Sequence, residues 1–482
     1  MRLKLLAEAA GVSGGIMDTE VLGIAYDSRR VRQGDLFIAL RGGAYDGHAF
    51  INDAIERGAS AVVHEGTLAL SVPGVPVESS RRAMALISNA FYGYPSRTLN
   101  VIGVTGTNGK TTTTRMIKSI IDHAGGEAGL IGTIDYEIKD EVMPAPHTTP
   151  EAPEFQGLLA RMRDAGCTHA VTEVSSHALM QSRVEGTEFK VSVFTNLTPE
   201  HLDFHHTMGE YFDAKARLFT ELLGGAAVIN IDDPYGLKLA GMLKNVITYG
   251  IKESADLTAT GLRMDARGSS MTLRYKGIER PVTVPIPGIV NVYNALAATG
   301  AALGLGMTLD DAASGLARMP QVAGRFERVE AGQKFLCVVD YAHTEDALER
   351  LLRTVREITA SRVITVFGCG GDRDRTKRPR MGAVATSLSE ITIITSDNPR
   401  SEEPLAIISG IIEGVTAGSR YMAVADRAEA IRDAIAIAAA GDSVVIAGKG
   451  HEEYQEIKGV RYAFSDREAA RRAIEEITGN RR

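Results

Sequence analysis

Between residues 99 and 114 the apolar run Leu99-Asn100-Val101-Ile102-Gly103-Val104 empties into TGTNGKTTTT. A strand, a Gly-rich turn, a lysine and a Thr run entering a helix is an arrangement that aims backbone N–H groups at phosphates. Lys110 is placed to reach the β- and γ-phosphates of a nucleotide, and the Thr111 hydroxyl to ligate Mg²⁺. The loop is a variant, because Val104 stands where the strict spacing requires a Gly five residues before Gly109.

The rest of the chain repeats that strand-then-loop logic. VIGVTG (101–106), HAVTEVSS (169–176), VSVFTN (191–196) and AAVINID (226–232) are continuous apolar runs, the pattern of strands buried on both faces of a parallel sheet. FLCVVD (335–340), RVITVFG (362–368), EITIITS (390–396) and SVVIAG (443–448) read the same way. They run into the polar loops DYAHTEDA, GCGGDRDRTKRPR, SDNPRSEEP and GKGHEEY, which together make a binding face at one sheet edge. Before residue 98, LFIAL (36–40) and AVV (61–63) alternate with helical patterns, one over 81–93. Another helix is expected over 426–440, begun by Asp426 and stopped by Gly441.

A chain of 482 residues is too long for one core. The expected fold is α/β with three domains: a small N-terminal α/β domain (1–97), a central P-loop ATPase-type parallel-sheet domain (98–325) and a C-terminal Rossmann-like α/β domain (326–482). Tyr94-Pro95-Ser96 suits the first linker, and a hinge near 320–330 would let the third domain close on the second. No apolar run is long enough for a membrane span, and the N-terminus does not resemble a cleaved signal. Three cysteines without metal-type spacing exclude a disulfide framework and fit a reducing cytoplasm. A net charge of −7 argues against a general nucleic-acid binder.

Beside the phosphate loop, the candidate metal set is Thr111, Glu173 and His201, since Mg²⁺ favours oxygen donors. Glu173 follows a buried strand, where an unpaired carboxylate is costly. The three histidines of HLDFHH (201–206) leave zinc open on count, one of them reads equally as a capping or core residue, and the neighbouring phosphate loop favours Mg²⁺. By chemistry alone, Lys215 in EYFDAKARLF reads as a solvated helix lysine, Asn294 as a cap, Arg325 as half of a surface pair, and the basic run DRDRTKRPR (372–380) as a solvated loop. An arginine after the Asn-Pro turn, Arg400, suits a carboxylate, and Glu452 suits an ammonium, so the two fit a zwitterionic amino-acid head.

Taken together, YDSRRVRQGDLFIAL…DGHAFI (26–51), TGTNGKTTTT, HTTPE (147–151), EVSSHAL (173–179), FTNLTPEHLDFH (194–205), YFDAKARLF (211–219), GRFE (324–327), DYAHTEDAL (340–348), GCGGDRDRTKRPRMG (368–382), DNPR (397–400) and GKGHE (448–452) resemble the Mur ligase family over nearly the whole chain. The family's own loop reads TGTNGKT, which accounts for Val104. The resemblance implies an ATP-dependent carbon–nitrogen (acid–amino-acid) ligase of peptidoglycan precursor synthesis, and hence of cell-wall biogenesis, cell shape and division. It would act in the cytoplasm as a monomer without nucleic-acid or membrane partners. It also implies addition of meso-diaminopimelate to UDP-N-acetylmuramoyl-L-alanyl-D-glutamate through an acyl phosphate. Lysine-adding relatives lack the DNPR arginine, so lysine is expected to be a poor substrate.

Residue by residue, the resemblance implies ATP contacts at Gly106, Thr107, Asn108, Gly109, Lys110, Thr111, Thr112, Asn294 and Arg325. It implies a uridine-nucleotide contact at Ser28, and muramoyl-dipeptide contacts at Thr148, Thr149, Ser175, Gln181 and Arg183. Mg²⁺ ligands are implied at Thr111, Glu173 and His201, with Lys215 as a carbamate. Catalytic roles fall to Lys110, Lys215, Glu173, His201, Asp340 and His343, and the incoming amino acid to Arg373, Asp397, Asn398, Pro399, Arg400, Gly448 and Glu452. One departure is Glu345, where the family usually has Pro. Rival readings are a lysine-adding member, a folylpolyglutamate-type synthetase and, in a different class, a P-loop regulatory ATPase.

Overall fold

A computed structural model describes residues 1–42 and 46–479. The chain divides into two compact units, one made of Met1–Thr258, Leu273–Arg280 and Asn294–Gly315, the other of Ala259–Thr272, Pro281–Tyr293 and Leu316–Arg482.

The first unit holds two sheets. The smaller has β1 (Gly23–Ala25), β2 (Asp35–Ile38), β3 (Ala61–Glu65) and β4 (Gly74–Val77) in that order, all parallel. Its core gathers Leu36, Ile38, Val63 and Val75 against Leu3, Leu6 and Met84. The helix expected over 81–93 is Ser80–Phe91, capped by the Ser79 hydroxyl accepting from Arg82 N–H.

The larger sheet contains β5 (Asn100–Thr105), β6 (Ala128–Ile131), β7 (Asp135–Ile138), β8 (Glu141–Pro144), β9 (His169–Glu173), β10 (Phe189–Phe194), β11 (Leu223–Asn230) and β12 (Val246–Gly250), in the order β12-β11-β10-β5-β9-β6-β7-β8. From β12 to β6 every pairing is parallel, while β7 and β8 are antiparallel additions. Val101–Thr105 of β5, Ala170–Glu173 of β9 and Val191–Phe194 of β10 are all buried, as strands covered on both faces must be. Three further strands follow in the chain: β13 (Leu257–Asp265), β14 (Gly268–Tyr275) and β15 (Ile278–Val284).

In the second unit, β16 (Glu327–Arg328), β17 (Leu336–Asp340), β18 (Val363–Phe367), β19 (Ile391–Ile394), β20 (Tyr421–Ala423) and β21 (Ser443–Ala447) form a sheet of order β16-β17-β21-β18-β19-β20. It is parallel except at β16, and its core includes Val339, Ile364, Val366, Ile393, Val444 and Ile446. A separate hairpin pairs β22 (Tyr454–Ile457) with β23 (Val460–Ala463). Asp426 caps a helix as expected, but Arg427–Ile437 ends three residues before the expected end at 440.

Cys167, Cys337 and Cys369 are all buried, and burial pushes the thiols of Cys337 and Cys369 up to about 12. No helix among the described residues is long and apolar enough to cross a membrane.

Candidate functional site

The phosphate loop lies past the carboxyl end of β5, where ligands bind in sheets of this kind. Gly106 has φ 147°, and a Cβ there would fall 1.9 Å from Thr195 Oγ1, so only glycine fits. The segment after β10 braces the loop. Asn108 N–H donates to Asn196 Oδ1 (3.0 Å), Asn196 Nδ2 and Thr195 Oγ1 donate to Asn108 O (3.1 and 2.7 Å), and Thr107 N–H donates to Asn196 O (2.8 Å). Thr107 Oγ1 accepts from Thr198 N–H (3.0 Å) and lies 3.2 Å from Tyr211 Oη. Lys110 Nζ donates to the carbonyls of Gly106 (3.0 Å) and Thr107 (2.8 Å). Asn294 approaches the same loop, its Oδ1 3.4 Å from Thr113 Oγ1 on the helix Lys110–His123, which also begins with Thr111 and Thr112.

Lys215 is not a solvated helix lysine. It lies on the inward face of Met208–Thr220 with Tyr211, Phe212, Leu218 and Phe219, and is 1% exposed. The Tyr211–Lys215 spacing puts both on one helix face, with Nζ 4.6 Å from the ring centroid. Nζ donates to Gly106 O (2.9 Å), so Lys110 and Lys215 share one loop carbonyl. Burial, helped by the Lys110 charge, holds the Lys215 ammonium well below the ordinary lysine range, with Glu200 opposing.

Glu173, at the end of β9, is 1% exposed. Thr133 holds both its oxygens, N–H to Oε1 (2.8 Å) and Oγ1–H to Oε2 (3.0 Å), and the Thr133 hydroxyl lies 3.1 Å from Thr148 Oγ1. Among the described residues these carboxylate partners are neutral. His201 has φ 56° and a half-exposed side chain beside Glu200 (3.8 Å). Burial lowers its pKa, with Lys110 and Lys215 adding to the effect against Glu200. Its ring stands edge-on to His177 (4.8 Å), and His177 stacks on Phe204 (4.2 Å). His205 takes the core role that HLDFHH left open: it is buried, 2.9 Å from Ser176 Oγ, and burial brings it down to about 4.

No three His, Cys, Asp or Glu side chains converge as a metal cluster among the described residues. Glu173, Thr111 and His201 offer a carboxylate, a hydroxyl and an imidazole, a donor set that fits Mg²⁺, which keeps waters and binds substrate phosphates.

The implied dipeptide residues form one network. Thr149 Oγ1 donates to Glu173 O (2.8 Å) and accepts from Ser175 N–H (3.1 Å). Arg183 Nη1 donates to Thr149 O (2.8 Å), and its Nε and Nη2 donate to Gln181 Oε1 (3.1 and 2.7 Å). Ser28 starts the short helix Ser28–Arg30, two residues after Tyr26, whose hydroxyl donates to Glu154 Oε1 (2.8 Å) on the helix following Thr149.

In the second unit the DNPR and GKGHE loops meet. Asn398 Nδ2 donates to Glu452 Oε2 (2.8 Å), and a Cβ on Gly448 (φ 119°) would fall 2.7 Å from Asp397 Oδ2. Arg400 has φ 52°, a costly conformation for a non-glycine. Its backbone is fixed there by Arg400 N–H to Glu456 O (3.0 Å) and Lys458 N–H to Arg400 O (2.6 Å), and its Nη1 donates to Gly371 O (2.7 Å). Arg427 and Asp466, both wholly buried, pair through two 2.7 Å bonds. Arg427 also donates to Ser396 O (3.1 Å) and Ala447 O (3.0 Å), the residues just before Asp397 and Gly448. The basic run is only partly solvated: Arg373 is exposed, whereas Arg378 is buried against Glu402 (2.8 Å).

Nearby, Asp340 accepts from the N–H groups of Phe326 (2.7 Å) and Ala342 (2.8 Å). Burial raises its pKa against the Arg325 charge. Arg325 lies over the Tyr341 ring (4.8 Å), which also meets His343 (4.6 Å) and His451 (5.1 Å). Sequence reasoning gave no role to Thr133, Thr195, Thr198, Tyr211, Arg427, Lys449 or Asp466. The last three are charged positions inside or beside apolar patterns, which was the available signal.

Family models for three consecutive regions match the chain: Mur ligase family, catalytic domain, over residues 20–92; Mur ligase middle domain over 104–302; and Mur ligase, glutamate ligase domain, over 324–450. A UDP-N-acetylmuramoyl-L-alanyl-D-glutamate--2,6-diaminopimelate ligase of Geobacillus thermodenitrificans is 47% identical over 466 residues, covering 95% of each chain. The Bacillus licheniformis protein of the same name is 44% identical over 471 residues, covering 96% of each. A solved structure of a protein of that name superposes with a TM-score of 0.73 at 34% identity, covering 99% of this chain and 100% of that one.

Proposed function

The chain belongs to the Mur ligase family, and we propose that it joins meso-diaminopimelate to UDP-N-acetylmuramoyl-L-alanyl-D-glutamate at the expense of ATP. The observation that carries this reading is the convergence of Asn398, Arg400, Gly448 and Glu452 on one sheet edge, which offers a guanidinium and a carboxylate to a zwitterionic head. Near-full-length relatives bearing the ligase name at 44–47% identity support it.

A carboxylate is a poor electrophile, so the γ-phosphoryl group is first moved onto it. The N–H groups of Gly106–Thr112 and the Lys110 ammonium hold the phosphates and spread the developing charge. Thr148, Thr149, Ser175, Gln181 and Arg183 orient the dipeptide, with Ser28 toward its uridine nucleotide, and Asn294 and Arg325 serve the nucleotide. The neutral amine then attacks the acyl phosphate and phosphate leaves. Thr111, Glu173, His201 and Lys215 as a carbamate would hold Mg²⁺, which when bound neutralises phosphate charge. Burial, with the Lys110 charge, disfavours the Lys215 ammonium and so favours the uncharged amine that carbamylation needs. Asp340 and His343 shape the edge carrying Arg325, and Arg373 and Asp397 complete the amino-acid side.

We assign the three domains as 1–97, 98–325 and 326–482. One chain carries every group named, so a monomer suffices, and its buried thiols suit a reducing cytoplasm. The test offers ATP, the nucleotide dipeptide and a panel of amino acids, with product followed by mass spectrometry and phosphate release. One phosphate per amide, with diaminopimelate far preferred over lysine and no reaction with a folate, is expected. ATP hydrolysis without an amide product would overturn the assignment.

A further inference from the structure

Thr133, in the turn between β6 and β7, holds both oxygens of the buried Glu173 carboxylate, through its backbone N–H at Oε1 (2.8 Å) and its hydroxyl at Oε2 (3.0 Å). The turn is pinned from two sides. A Cβ on Gly132 would fall 2.8 Å from Glu173 Oε1, so the backbone here comes close to the carboxylate. Arg115, on the helix Lys110–His123 that follows the phosphate loop, pairs with Asp135 and Glu137 just past the turn. Thr133 Oγ1 also lies 3.1 Å from Thr148 Oγ1. A hydroxyl has one proton, and that of Thr133 is spent on the carboxylate, so Thr148 is the donor between the two. The row Thr148 to Thr133 to Glu173 is therefore directed, and it runs from an implied dipeptide contact to an implied Mg²⁺ ligand.

We propose that Thr133 is a positioning residue that links two substrate sites: it fixes the plane of the Glu173 carboxylate and passes to it the occupancy of Thr148. This rests on the functional reading above, which gives Thr148 to the dipeptide and Glu173 to Mg²⁺. The backbone N–H alone anchors one oxygen and leaves the carboxylate free to turn about it. The hydroxyl anchors the second, and each oxygen keeps acceptor capacity for a further partner. Thr148, its proton spent, meets the dipeptide as an acceptor. A ligand donor there polarises the row and strengthens the hold on Glu173, because hydrogen bonds in a chain reinforce one another away from water. Dipeptide binding therefore tightens metal–nucleotide binding, and by reciprocity the nucleotide tightens the dipeptide.

Calorimetry tests this without turnover. Mg²⁺ with the β,γ-imido analogue of ATP is titrated into the full-length protein with and without the nucleotide dipeptide, and no amino acid is added. In the wild type the dipeptide should tighten analogue binding at least about fivefold. Thr133→Val keeps the side-chain shape and the backbone N–H but lacks the hydroxyl. Its factor should fall to about one, the value for independent sites, while dipeptide affinity without nucleotide stays near wild type. Thr133→Ser should restore the factor. Thermal melts verify folding, and Thr148→Val at saturating dipeptide decides if Thr133→Val does not fold, since it too should lose the factor. A wild type without the factor, a Val variant that keeps it, or a Ser variant that loses it as Val does would overturn the proposal. A wild-type enzyme that makes no amide with diaminopimelate would instead sink the functional reading on which it rests.

Discussion

At the scale of single residues, Lys215 and His205 show how burial decides a side chain's chemistry. Lys215→Ala removes the group that a carbamate would be built on, and turnover should fall about a hundredfold or more, the size expected when a charge-stabilising group is lost. Partial recovery of initial rates by added short carboxylic acids would identify the missing charge. His205 supplies a pH dependence. Its folded pKa of about 4 lies below the unfolded value of about 6.5, so the unfolded chain takes up the proton first. The neutral ring's contribution is complete above pH 6.5 and is lost as pH falls toward 4. Urea midpoints should therefore drop between pH 7 and 5 in the wild type and drop less in His205→Gln. HLDFHH alone could not tell which ring is a ligand and which belongs to the core, because accessibility is set by elements far away in sequence. The same holds for Lys215, whose spacing on its helix was visible but whose covering strands were not.

At the scale of elements, the loops do the chemistry and their neighbours hold them still. Gly106→Ala would drive a Cβ into Thr195 and impose a left-handed φ, costing about 1–3 kcal/mol and displacing the loop. KM for ATP should rise more than tenfold with a lower melting temperature, both measurable on one preparation. The parallel strands were legible because strands buried on both faces read as continuous apolar runs; β5, β10, β18 and β21 lie within two residues of the expected bounds, and β9 starts as expected and ends at Glu173, before the expected 176. What escaped was the bracing. The segment Thr195–Thr198 grips the phosphate loop through the Asn196 side-chain amide, the Thr195 hydroxyl and the Thr198 N–H, whose partners lie about ninety residues away in the chain. No local pattern encodes such a meeting.

At the scale of the whole molecule, two compact units carry cores of their own, and stability belongs to each. Asp466→Asn leaves Arg427 buried without its carboxylate, a loss of about 3–5 kcal/mol. Scanning calorimetry should show one transition moved sharply down and the other nearly unmoved, and the amino-acid KM should rise because Arg427 tethers both of its loops. The family resemblance proposed most of the candidate site residues from the sequence, and hydrogen bonds join Thr149, Glu173 and Arg183 in one network and Asn398 and Glu452 in another. It could not reveal that salt bridge, whose partners lie 39 positions apart.

All three sulfhydryls are interior, and two of them resist ionisation until far above neutral pH. Maleimides and other alkylating probes should then leave the native enzyme untouched, with uptake beginning only as the fold opens. A cysteine introduced on the surface would carry a fluorophore at one chosen spot without stripping the natural ones first.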